Sequence, residues 1–162
     1  MTRTIGLLLA TLAACSQSAP EPNGLGNYKF GHTTRGSIHD GNCQPTDLRD
    51  GRKAIWCFAL PPIKVGKRVA EVDAYFLNAP PHTDQDAPLI EIQLKVRGCV
   101  EDEVERWMRT RFGAPIESKS TREYWKNSFL WAAAFLPSEP GRCLIHFLPL
   151  SENAEIERLK SE

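Results

Sequence analysis

The chain has no surplus of charge of either sign, since Lys plus Arg and Asp plus Glu number 20 each. The one-sided basic surface that neutralises phosphates is therefore missing, and a nucleic-acid partner is not expected. No apolar run approaches the roughly 20 residues needed to cross a hydrocarbon core, which argues against a permanent transmembrane helix. There is no C-x-x-C pair, so neither a zinc ribbon nor a thioredoxin-type redox couple is indicated. Nor is there a G-x-S-x-G elbow, an S-x-x-K, an H-E-x-x-H or a phosphate-cradling glycine loop. These absences point to a non-enzymatic protein with no cofactor and no metal.

What is present is ordinary globular composition, 41% hydrophobic and 25% charged over 162 residues. That is enough for one domain with a proper core. The N-terminus departs from it. Arg3 gives a short positive start, Ile5 to Leu12 an apolar run about half a membrane span long, and Ala13-Ala14 the small residues that end signal-peptide grammar.

Leu12-Ala13-Ala14-Cys15 resembles the bacterial lipobox. The resemblance implies that residues 1–14 are removed and that Cys15 becomes an acylated N-terminus facing the periplasm. It implies anchoring in membrane lipid, and Ser16, in place of Asp, favours the outer membrane. Two or three acyl chains hold a protein on a bilayer where one binds marginally, at about 0.8 kcal/mol per buried methylene. Loss of Arg3 leaves the mature chain with one net negative charge. Residues 16–27 are polar and rich in Pro and Gly, and read as a flexible tether of roughly 20 Å. The periplasmic domain is then expected over residues 28–162.

Cys43, Cys57, Cys99 and Cys143 remain in that domain, an even set suited to disulfides in an oxidising compartment. Topology favours Cys43 with Cys57 and Cys99 with Cys143; two other pairings stay open. Residues 28–52 should be mostly loop. Lys53 to Leu60 reads as a strand apolar on both faces and ended by Pro61-Pro62, and Arg68 to Leu77 as a second. Leu89 to Arg97 alternates Ile90, Ile92, Leu94 and Val96 against Glu91, Gln93, Lys95 and Arg97, which predicts one wet face. A helical stripe follows in Val100, Val104, Trp107, Met108 and Phe112, with acids at its start, Arg109 and Arg111 near its end, and Gly113 and Pro115 to stop it. Trp125 to Leu136 and Arg142 to Leu148 read as two further strands. A short, exposed terminal helix reaches Lys160.

The expected fold is α+β, an antiparallel sheet of about five strands packed on one helix with a short C-terminal helix. The helix, Gly113-Ala-Pro115 and the following hairpin loosely resemble the small α+β units of outer-membrane assembly lipoproteins and of the β-lactamase-inhibitor-like fold.

His32, His39, Asp40, Cys43, Asp47 and Asp50 form the densest cluster of potential metal ligands. A polar loop with one disulfide explains the same residues without a metal. His146 alternates with Ile145 and Phe147 and reads as structural or edge-facing, and His82 lies in a Pro-rich loop. Glu101 and Glu105 belong to a solvated helix face. Tyr124 and Trp125, if exposed, are candidate contacts for a protein partner. The functional expectation is a lipid-anchored binding or assembly accessory whose partner is an envelope or periplasmic protein. The alternative is an inhibitor or immunity lipoprotein that blocks a secreted hydrolase. An enzyme of unfamiliar type would need a pocket gathering His146 or the early His-Asp cluster.

Overall fold

A computed structural model describes residues 22–161. The expected signal peptide, Cys15 as the expected acylation site, and residues 16–21 of the expected tether lie outside them. None of the helices among the described residues is long and apolar enough to cross a membrane.

The chain opens with a two-stranded ribbon, β1 (Gly24–Leu25) and β2 (Tyr28–Lys29). Residues 22–27, expected as tether, are therefore folded onto the domain: Leu25, Tyr28 and Phe30 are buried, and the Pro22 carbonyl accepts a 2.8 Å hydrogen bond from Asn127 Nδ2. Leu25 is the apolar residue that the Pro/Gly composition conceals.

Eight strands then make one antiparallel sheet: β3 (Asn42–Asp47), β4 (Lys53–Val65), β5 (Arg68–Leu77), β6 (Leu89–Arg97), β7 (Glu117–Lys119), β8 (Arg122–Lys126), β9 (Leu130–Glu139) and β10 (Arg142–Pro149). Their spatial order is β3-β4-β5-β6-β10-β9-β8-β7. Two four-stranded meanders thus meet where β6 pairs with β10, and helix α1 (Glu101–Phe112) connects them.

The fold is α+β as expected, but with eight strands in the main sheet instead of about five. β3 was hidden in a polar segment and pairs with β4 in a register that sets Cys43 directly opposite Cys57. β4 runs through Pro61-Pro62 because the β4–β5 ladder is interrupted between Cys57 and Ile63, where their missing N–H groups are not needed. The expected strand Trp125 to Leu136 is a hairpin, β8 and β9. Asn127 folds it by accepting the Phe129 and Leu130 N–H groups at 2.8 and 2.9 Å on Oδ1.

One sheet face carries the main core. Ile92, Leu94 and Val96 of β6 and Ile145 and Phe147 of β10 meet Val104, Trp107 and Met108 of α1, with the N-terminal ribbon beside them. Val100, expected on the helical stripe, is instead the half-exposed N-cap. Gly113 ends α1 at φ +77°, where its N–H reaches the Arg109 carbonyl at 3.0 Å. The disulfides are Cys43–Cys57 and Cys99–Cys143.

The opposite face is covered over half its width. Helix α2 (Asn153–Ser161) lays Ile156 and Leu159 on Tyr124, Trp131, Ala133, Phe135 and Leu148. The exposed terminal helix of the sequence reading is therefore part of a second core. From β10 across to β3 this face has no helix over it among the described residues.

Candidate functional site

Strand alternation and register decide what stands on the uncovered face. Trp56 lies opposite Tyr75, Tyr75 opposite Glu91, and Gln93 opposite His146, so side chains from four neighbouring strands share one surface. Where this surface meets α2 it becomes the floor of a cleft of about 360 Å³. Tyr75, Glu91, Gln93, Leu144 and His146 form the floor, while the Leu48 to Arg52 loop and α2 residues Glu155 and Arg158 form the walls. Arg52 closes one end by a two-pronged contact to Glu152, at 2.9 Å from Nη1 to Oε1 and 2.5 Å from Nη2 to Oε2. That contact, more than the one to Asp50, holds the guanidinium firmly protonated.

His146 and Glu91 are the buried polar centre, 6% and 8% exposed. Glu91 Oε1 accepts hydrogen bonds from His146 Nδ1 at 2.6 Å and from Gln93 Nε2 at 2.9 Å. A carboxylate only accepts, so it fixes the proton of the neutral ring on Nδ1 and leaves the lone pair on Nε2. Nε2 has no protein partner among the described residues and is open to solvent from the cleft. Phe135 packs edge-on against the ring at 5.6 Å between centroids. Tyr75 contributes a hydroxyl pushed well above its ordinary value, first by burial and then by Glu91 and Asp73, so it stays protonated.

The charges around the cleft are matched. Asp47 pairs with Lys53 at 2.6 Å, Asp50 with Arg52 at 2.6 Å, Glu152 with Arg52, and Glu155 with Arg158. Arg49 is also engaged. Beyond the cleft an aromatic row continues across the open face: Tyr75 stacks on Trp56 at 6.4 Å, and Phe58 lies 4.6 Å from Trp56. Asp73, buried beneath, accepts from Trp56 Nε1 at 2.9 Å and from Lys95 Nζ at 2.6 Å.

No protein-family model, curated protein or solved structure matches this chain.

The residues singled out from sequence are distributed differently. Tyr124 and Trp125 are fully buried, the first donating to the Leu159 carbonyl at 3.2 Å and the second to the Gly113 carbonyl at 3.0 Å. They bind the two helices to the sheet and are not available as partner contacts. The early cluster disperses: Cys43 is in a disulfide, Asp47 and Asp50 are in ion pairs, and His39 and Asp40 line a separate cavity beside Pro61 and Pro62. Among the described residues, no three or more His, Cys, Asp or Glu come together as a metal-ligand set. His146, in contrast, does lie in a cleft. Its partner Glu91 was visible only as one of four alternating polar residues on β6, and nothing in sequence linked it to a histidine 55 residues away.

Proposed function

We propose that the chain is a lipid-anchored envelope protein, held by acylated Cys15, that binds another envelope component across the open half of its sheet. The observation that carries the binding reading is the cleft over Glu91 and His146. There a nine-tenths-buried polar pair presents a ring nitrogen without a partner among the described residues, beside a row of half-buried aromatic rings. Such a combination of apolar body and few placed polar groups is the usual chemistry of a binding surface. With Tyr124 and Trp125 buried, the sheet is the favoured contact surface and the aromatic hairpin is not. An assembly accessory and an inhibitor of a secreted hydrolase both work through such a face, and the captured partner distinguishes them.

The anchor rests on Leu12-Ala13-Ala14-Cys15. Cells fed labelled palmitate should incorporate label into the wild-type chain and not into Cys15→Ser. Equal labelling of the two, or none in either, would remove the anchor from the account.

General-base catalysis by His146 is a second reading, favoured by the same pair, because a carboxylate-oriented imidazole with a free Nε2 is a competent proton acceptor. It requires turnover that His146→Gln abolishes, whereas a binding role requires none.

A further inference from the structure

We infer that the cleft over Glu91 and His146 is a subsite for a neutral, hydroxyl-rich ligand, a saccharide unit. This rests on the reading of the open sheet face as the binding face and names the chemistry of what it takes.

The acidic groups of the cleft walls are held by Lys53, Arg52 or Arg158, Glu91 is hydrogen-bonded by His146 and Gln93, and Arg49 is engaged as well. An ionic ligand would have to break into these pairs, and at Arg52–Glu152 it would leave a carboxylate only 10% exposed without its partner, at a cost. A neutral ligand disturbs none of them. What the cleft leaves unmatched is hydrogen bonding: His146 Nε2 and the Tyr75 hydroxyl have no protein partner among the described residues. In the neutral ring with its proton on Nδ1 toward Glu91, His146 Nε2 accepts a hydrogen bond, while the protonated Tyr75 hydroxyl donates one. Neighbouring hydroxyls on a sugar ring supply a donor and an acceptor together.

The apolar part of the surface has the same complement. Leu144 lies beside His146, and the half-buried rings of Tyr75 and Trp56 continue from the cleft toward β3, with Lys95 Nζ 5.9 Å from the Trp56 centroid. A pyranose has a polar rim and a C–H face, so its rim meets His146 and Tyr75 while its face lies on the aromatic row. The volume of about 360 Å³ admits one or two rings. Further units of an oligosaccharide would follow Trp56 and Phe58.

The test uses the full acylated chain in a sugar-free zwitterionic detergent, titrated with maltotriose and with triacetylchitotriose. Histidine side-chain nitrogen NMR reports on His146, and the part of the tryptophan fluorescence change lost in Trp56→Phe reports on Trp56. Saturable binding of at least one trisaccharide should shift the His146 Nε2 resonance. Tyr75→Phe, which removes only the hydroxyl, and His146→Gln should each weaken it about tenfold. Near-ultraviolet circular dichroism checks that both variants stay folded. No saturable binding of either sugar to folded wild-type chain overturns the inference, as does binding that both folded variants retain at full strength. If the sugars fail while crosslinks from the open face still capture a protein, the saccharide assignment falls and the binding face stands. If those crosslinks fail as well, the reading of the face falls with it.

Discussion

Tyr28, Tyr75 and Tyr124 are all the tyrosines of the chain, and burial is the first cause that pushes each hydroxyl above its ordinary value. The folded state therefore keeps these protons to higher pH than the unfolded chain does. Their contribution to stability is complete below the unfolded value of about 10 and is lost as pH rises toward the folded ones. Phenolate absorbance in an alkaline titration should accordingly appear above the ordinary tyrosine range and together with loss of tertiary structure. Titration at the ordinary value in folded protein would contradict this. Gly41 offers a second residue-scale test. Its φ is +75°, and an added Cβ would stand 2.4 Å from the Phe58 carbonyl oxygen on β4. Gly41→Ala should destabilise by about 1–3 kcal/mol in urea unfolding.

At the scale of elements, α2 carries the clearest consequence. Ile156 and Leu159 are buried against the sheet, so Ile156→Ala should cost about 2–5 kcal/mol, as a core truncation does, where an exposed terminal helix would lose almost nothing. Chemical denaturation of the variant separates the two. The sequence concealed this because a nine-residue amphipathic segment looks the same whether or not a sheet lies under it. Other elements were legible where local pattern and tertiary setting agree. β5, β6 and α1 fall within the expected bounds because period-two and helical spacing were uninterrupted. β3 and β7 were not legible, being short edge strands with hardly any buried residue to mark a face. Pro61-Pro62 misled in the opposite direction, since an irregular ladder tolerates what a regular one rejects. The candidate site was half legible. The wet face of β6 followed from alternation, but the meeting of Glu91 with His146 depends on the β6–β10 pairing, which no local signal announces.

For the whole molecule, that pairing is the seam between two meanders, and Cys99–Cys143 ties the entrance of α1 to β10 beside it. Replacing both cysteines by Ala should lower stability by roughly 3–4 kcal/mol in the chain-entropy account, measurable by urea unfolding under oxidising conditions. The seam also assembles the cleft, since Glu91 and His146 come from different halves. One half of the second face is closed by α2, and the other presents aromatic rings and the buried pair outward. On the proposed function, this open half is where an envelope component docks. Site-specific photocrosslinking in cells tests that most directly, with a benzoylphenylalanine at Phe58 on the open face and, as a control, at the exposed Ile116 that follows α1. The predicted result is a discrete adduct from Phe58, abolished with Cys15→Ser, and none from Ile116. Adducts from Ile116 alone, or no adduct from the open face, would contradict it.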